Sequence, residues 1–475
     1  MELHLHASQI KGLSEYEAPR LNKVIDVFNA HSSRNAEKNK YYEGKISVGE
    51  VNLGIALPES IRGLEIGCAW GAKCVDVLAA RSMFDGFVGI NGEDMEDLDR
   101  IAVDNNLIAE YMKACRDELK YGCTFATLSR DEDIGVKIRF HSPQTAAALW
   151  NGEKGRIDCG IAIIDSVLDE VAKDKWIPSI VNYYTDDAIW VFIRINSDFW
   201  NASYFPHDMK RPLMEPLIWN ATSNKPFGRS RIKEPVRRLI QGYVRTIANA
   251  TIGLEFATSP QKYLLGITDE QFDVVINQKF KQYVGSIIAA TSNPETGNNP
   301  QFGQLLQGNI SPHVEMIRIL ATQFSAATGL TVTDTGVVSE ANPTSADAVL
   351  AQSQTLIAMA EQLNTGNGDA LRNIALMAQA IKSQIPLDNL SEDQRDIMAH
   401  FKNPAMPSVA ATADAAIKIV SARPDFASTD TFLEMIGFDK ASIRKIKAEE
   451  SRTRGLMVLE ELEELNEAST TENLE

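Results

Sequence analysis

Apolar positions in this chain recur with two alternating periods, and the switch between them divides it. Leu21, Val24, Ile25 and Phe28 are spaced three and four apart and predict a helix over Leu21–Tyr42, and a second helical stretch runs near Leu98–Leu119. From Cys123 to Trp200 the pattern becomes short and β-rich. The runs Thr124–Leu128, Val136–Phe140, Cys159–Ile164 and Ile189–Ile195 read as strands, with polar turns such as Asn151-Gly152 and Asp186-Asp187 between them.

The helical period returns at Ser230. This segment carries Arg229, Arg231, Lys233, Arg237, Arg238 and Arg245, with Glu234 as its only acid. Such a charge run is either a solvated face or a working basic face. Aromatic and β-branched residues around Tyr263, Phe272, Phe280 and Tyr283 follow, and then a Gly/Asn/Pro-rich loop, SNPETGNNPQFG. Ser311 as N-cap with Pro312 in the first helical position predicts a sharp helix start, Val314, Ile317, Leu320 and Phe324 form one stripe, and Gly329 supplies a left-handed stop.

A polar loop, Leu330 to Pro343, separates that helix from a long one. The loop is built of Thr, Val, Gly and Ser, with only Asp334 and Glu340 charged. It is too polar for a core and too uniform for a catalytic loop. Thr344 and Asp347 make a capping-box-like start, after which Ala346, Val349, Ser353, Leu356, Ala360 and Leu363 keep a seven-residue spacing suited to close packing. Gly366-Asn367-Gly368 predicts a break before another amphipathic helix, ALRNIALMAQAI. In the last fifty residues a basic block from Lys440 to Arg454 precedes an acidic block from Glu460 to Glu467.

Composition changes the picture modestly. A chain of 475 residues, 44% apolar and 23% charged, has length for about three domains. No apolar run approaches the roughly 20 residues of a membrane span, and the N-terminus lacks the build of a secretory signal, so a cytoplasmic site of synthesis and residence is expected. Cys68, Cys74, Cys115, Cys123 and Cys159 are an odd, scattered set, which predicts reduced, buried thiols rather than a zinc site. The net charge of −17 argues against gripping DNA through many phosphate contacts. Any DNA it handles must slide past a wall that repels phosphate.

Candidate chemistry is sparse. Leu64-Glu65-Ile66-Gly67-Cys68-Ala69-Trp70-Gly71 resembles the first motif of S-adenosylmethionine-dependent methyltransferases, with Phe87–Asn91 as an imaginable second strand. Ala69 replaces the middle glycine, and nothing after residue 120 supplies a doubly wound sheet. The seven histidines lie outside metal-ligand spacing apart from His4 and His6 at the terminus, and no P-loop lysine motif exists. Neither a catalytic residue nor a cofactor is assigned.

The order of these features resembles the portal proteins of tailed double-stranded DNA bacteriophages, in their siphophage-type branch. The resemblance is carried by the helix–loop–long helix order with Asn342-Pro343-Thr344-Ser345-Ala346-Asp347-Ala348, and by the passage from His207 through Pro212, Pro216, Asn220, Gly228 and Ser230. Tyr41-Tyr42-Glu43-Gly44, then Val75-Asp76 with Arg81 and Gly86-Phe87, and finally Pro407-Ser408, Ala413-Asp414-Ala415 and Gly437 complete it, over roughly residues 20 to 450. The resemblance implies a helix-rich α+β portal fold. Its parts would be a wing (1–229), a first stem helix (230–255), a clip (256–309), a second stem helix (310–329), a tunnel loop (330–344), a long helix with the C-terminal wing (345–425) and a crown (426–475).

It further implies a closed ring of twelve subunits at one capsid vertex of the virion, assembled in the host cytoplasm. Double-stranded DNA would pass through its channel during packaging, be retained and later be ejected. The large terminase subunit and then the head–tail adaptor would dock at the clip, with the major capsid and scaffolding proteins around it, and no membrane would be involved. Val332, Thr333, Thr335, Gly336, Val337, Val338 and Ser339 would line the channel as the mobile tunnel loop, and Arg231, Lys233, Arg237, Arg238 and Arg245 would form the basic face of the stem. A cytoplasmic scaffold ring unrelated to phage is the reading from another class.

Overall fold

The computed structural model describes residues 2–51, 63, 65–90, 95–169, 176–196, 199–258, 262–266, 297, 299, 301–304, 309–337, 346–405, 409–438 and 440–472. The chain divides into two units, one made of Met1–Ala36, Asp76–Ser230 and Thr344–Glu475, the other of Glu37–Val75 and Arg231–Pro343. Its helices are α1 (Glu17–Glu43), α2 (Trp70–Ala79), α3 (Glu96–Asp104), α4 (Leu107–Tyr121), α5 (Glu234–Thr258), α6 (Ser311–Thr328), α7 (Ala346–Ser383), α8 (Val409–Ala422), α9 (Asp430–Ile436) and α10 (Lys440–Glu472). Among the described residues no helix is long and apolar enough to cross a membrane.

The first unit is built on a six-stranded sheet, in the order β1 (Ile10–Lys11), β9 (Trp200–Pro206), β8 (Ala188–Arg194), β7 (Trp176–Tyr184), β6 (Arg156–Leu168) and β5 (Ala146–Asn151). Only the β1–β9 pair is parallel. The helical period of α1 places Leu21, Val24, Ile25 and Phe28 on one stripe, and that stripe buries against Ile161, Val181, Tyr183 and Phe192 on the sheet. Tyr183 Oη donates to Glu17 Oε2 at 2.5 Å, and Arg20 spans Glu17 (2.8 Å) and Asp158 (3.1 Å), which fixes the start of α1 on this face.

A three-stranded antiparallel sheet, β10 (Met214–Ile218), β3 (Cys123–Asp131) and β4 (Gly135–His141), and a two-stranded ladder of β2 (Phe84–Gly89) with β13 (Ile397–Phe401), complete the unit's strands among the described residues. The Asp76, Arg81 and Gly86-Phe87 pattern is structural. Asp76 lies 3.6 Å from Arg116, Arg81 donates to the Pro404 carbonyl at 2.8 Å, and Gly86 takes a φ of 115° in β2.

Two helix expectations are corrected. The stretch Leu98–Leu119 is two helices, because Asn105 leaves the helical path: its amide donates to Ile101 O and Val136 O, its oxygen accepts from Ile138 N at 2.8 Å, and Asn106 takes a left-handed φ of 49°. Conversely, Gly366-Asn367-Gly368 is no break, since α7 runs through it without interruption. Asn367 is fully buried and donates to Tyr111 Oη (2.9 Å) and Glu118 Oε2 (2.8 Å), while Tyr111 Oη meets Ser82 Oγ at 2.7 Å. These partners outweigh the roughly 1 kcal/mol that each helical glycine costs.

Burial pushes the Glu118 carboxyl up to about 8. An unfolded chain ionises glutamate above about 4.3, so between these values only the folded state holds the proton, and stability falls as pH rises through the window. Glu118→Gln retains an oxygen for Asn367 and removes the titration. It should stabilise the protein by about 1–3 kcal/mol at pH 8 and flatten the pH slope. Urea unfolding at pH 5 and pH 8 measures both.

All five cysteines are buried and none forms a disulfide, and burial pushes the Cys68 and Cys159 thiols up to about 11. In α10 the basic block finds acids on its own chain, Arg444 pairing with Asp99 and Lys447 with Asp430.

In the second unit α5 and α6 pack together, with Leu320 pressed against Gly242, and β11 (Lys262–Leu265) pairs antiparallel with β12 (Gln301–Gln304). Of the predicted α6 stripe, Leu320 and Phe324 are buried whereas Val314 stays 45% exposed. The cap also differs from expectation. Ser311 is already helical and the Ile310 N-cap makes no side-chain bond, so Asn309 Oδ1 accepts from Ser311 N instead, at 2.9 Å. Thr344, like most of 256–309, lies outside the described residues.

Candidate functional site

The candidate site is the segment that leaves α6. Gly329 ends the helix with a φ of 71°, its N–H donating to Ser325 O, and Ser325 Oγ donates to Leu330 O at 2.5 Å while the Leu330 side chain is buried. Thr331 then donates from both its N–H and its hydroxyl to Asp334 Oδ2, at 2.9 and 2.8 Å, and Asp334 N returns a bond to Thr331. A 3₁₀ turn over Thr333–Thr335 follows, and Gly336 closes it at a φ of 83°. This is ST- and Asx-turn chemistry in which each side chain satisfies its own backbone.

The turn is held from outside by Trp70, the first residue of α2. Its indole N–H donates to Thr335 O at 3.1 Å, and its ring lies between Tyr243 (4.7 Å between centroids) and Phe324 (4.9 Å). Trp70 is 4% exposed. Gly71 must be glycine, since a Cβ there would lie 2.0 Å from Tyr41 O, and at Gly44, with a φ of 69°, a Cβ would lie 2.9 Å from Cys68 O. The Tyr41–Gly44 motif is therefore the platform on which the start of α2 rests.

The cofactor reading of 64–71 finds no support. Backbone of Tyr41 occupies the space beside Gly71, and the described strands form no doubly wound parallel sheet.

Of the predicted loop residues, Thr333 and Gly336 are exposed, Val332, Thr335 and Val337 are half-buried, and Val338 and Ser339 lie outside the described residues. The segment 330–336 is thus tied together by its own side chains and to Trp70.

The basic residues do not share one face. Arg231 precedes α5 and is buried, donating from Nε to Cys74 O and from Nη2 to Thr328 O at 2.7 Å; burial lowers its pKa. Its place on a basic surface is corrected: it clamps the end of α6 to α2. Arg237 meets Glu37 at 2.5 Å and also Glu234, over the Tyr41 ring at 5.8 Å, and Arg238 pairs with Glu234 at 2.8 Å. Lys233 is exposed and Arg245 half-buried. The second acid, Glu37, comes from α1 and is invisible in the local sequence.

Among the described residues no group of His, Cys, Asp and Glu could hold a metal ion. A family model described as phage portal protein, SPP1 Gp6-like, matches residues 21–455. No curated protein matches the sequence. Among solved structures, a chain in the neck of a native GTA particle computed with C12 symmetry is similar at 11% identity, with a TM-score of 0.45 over 78% of this chain and 90% of that one. A chain in the neck of an empty GTA particle computed with C6 symmetry gives 12%, 0.46, 76% and 87%, and one in the virion of a native gene transfer agent particle gives 12%, 0.45, 78% and 89%.

Proposed function

Since this chain belongs to the SPP1 Gp6-like phage portal protein family, whose model spans residues 21–455, we propose that it forms the ring-shaped channel of a capsid vertex. Its role is that of a portal, through which double-stranded DNA is packaged, retained and ejected. The observation that carries this reading is the extent of the family match, 435 residues of a 475-residue chain. The family is structural, and the chain acts by shape and position, with no catalytic residue.

The finer reading keeps the assignments of wing, stem, clip and crown made above, with twelve subunits, terminase and later an adaptor at 256–309, and the segment after α6 at the channel. Exposed apolar residues support a ring. Val314, Met316 and Ile319 on α6 are 45%, 39% and 51% exposed, and Leu456, Met457 and Val458 on α10 are 56%, 61% and 50% exposed, so a single chain leaves helix faces that neighbouring subunits would cover. The surplus of acid supports sliding over gripping.

Electron microscopy of the purified protein should show closed rings with a central hole. Native mass spectrometry that finds only monomers and dimers at micromolar concentration and moderate salt would overturn the reading.

A further inference from the structure

One edge of the six-stranded sheet is open. β1 pairs with β9 only at Ile10↔Trp200 and Lys11↔Asn201, and among the described residues no strand continues along Ala202–Pro206. His207 N donates to Asp187 O at 2.7 Å, so the alternation of an antiparallel ladder turns the peptide groups of Ser203 and Phe205 toward β8 and those of Ala202 and Tyr204 outward. The parallel pairing with Lys11 already takes the Ala202 N–H, so Ala202 O and both peptide groups of Tyr204 are left, and unpaired edge groups of this kind template the pairing of another strand.

The two faces beside this edge differ in chemistry. On the α1 side, Trp190 and Tyr204 face each other across β8 and β9 at 4.7 Å and border a cavity of about 610 Å³. Its wall carries Glu17, Asp158, Asp186 and Asp187 against Arg20 and Lys154, an acidic balance beside two aromatic rings. Among the described residues the indole N–H of Trp190 has no hydrogen-bond partner. On the other side, Ile189 faces Phe205 across the same two strands, and with Val191, Leu213 and Ile381 they line a cavity of about 720 Å³. Tyr204 is 48% and Phe205 56% exposed.

A strand's side chains alternate between faces, so one added to β9 would send every second side chain toward the acidic, aromatic cavity and the others toward the apolar one. A cation suits the first, by carboxylate and ring attraction together, and an aliphatic side chain suits the second. We propose that the outer edge of β9 is a strand-addition site for an extended segment of another protein, in which basic and apolar side chains alternate. This chain's own strand of that pattern, Val136–Phe140, has its outer edge occupied, because Asn105 bonds to Val136 O and Ile138 N. That disfavours a second copy as the source. The site is independent of the portal reading.

The test uses the full chain and synthetic eight-residue peptides, with binding measured by calorimetry. A peptide of alternating valine and lysine should bind at least tenfold more tightly than one of alternating valine and glutamate. Methylating its alternate backbone amides should weaken it at least tenfold, since that blocks ladder pairing without touching the protein. Asp186→Lys should weaken the lysine peptide tenfold, and Phe205→Asp should weaken it on the apolar side, both at unchanged melting temperature. Equal binding of the two peptides, indifference to methylation, or no binding overturns the proposal. Binding to isolated subunits but not to rings overturns it in favour of a subunit–subunit contact.

Discussion

Trp70→Ala should destabilise the second unit by about 3–5 kcal/mol, the range for removing a large buried aromatic. The ring is 4% exposed and touches both Tyr243 and Phe324, so its loss leaves a void where α5, α6 and α2 meet. Thr335 O would also lose the indole donor it holds at 3.1 Å. Trp70→Phe separates the two effects: it keeps most of the packing and removes only the donor, so about 1–2 kcal/mol is expected for a shielded carbonyl left unpaired. Hydrogen exchange supplies the local readout. In Trp70→Phe the amides of 331–336 should exchange at least tenfold faster while those of α5 keep their protection. Unchanged exchange in the turn would mean that the Thr331–Asp334 bonds hold it without Trp70.

Local periodicity made part of this legible. The apolar stripe of α1 and the alternation of β3, β4, β6 and β8 appear in the sequence because each is set by residues within a few positions of one another. β7 and β10 contain Pro178 and Pro216 and are hidden by them, since proline inside a run speaks against a strand. The continuity of α7 was illegible for a different reason. Gly366 and Gly368 read as punctuation, and what compensates them, Tyr111 and Glu118, lies 256 and 249 residues from Asn367.

The candidate site shows the same limit more sharply. Composition alone made 330–343 a uniform polar loop, yet Thr335 is held by a residue 265 positions away. Trp70 carried a signal, a large aromatic set in a glycine-rich turn, but the cofactor-like motif around it drew the other reading. Arg231 shares its charge with its neighbours along the chain but not their surroundings. Standing before the first turn of α5, it points its donors at the carbonyls of Cys74 and Thr328 and contributes no surface charge.

The bonded turn over Thr331–Gly336 decides how the channel reading is tested. Shortening Thr335–Ser339 would remove the carbonyl that Trp70 holds and so mix stability with transport. Deleting Val337–Ser339 begins beyond Gly336, the last residue of the ordered turn, and should change stability by about 1 kcal/mol or less. Val337→Asp tests the same place with a charge. Val337 lies beyond the Thr331–Gly336 turn, so the substitution leaves that turn's bonds in place, and on the channel reading it would add one carboxylate per subunit beside passing phosphates, whose charge it repels. Both variants should form normal rings and normal capsids, while packaged or retained full-length DNA falls at least tenfold. Val332→Asp, within the bonded turn, should cost stability as well, which marks it as the less clean probe. Capsids carrying Val337→Asp that fill with full-length genomes and keep them as wild-type capsids do would place the constriction elsewhere, leaving family membership intact and this segment a structural corner of α6.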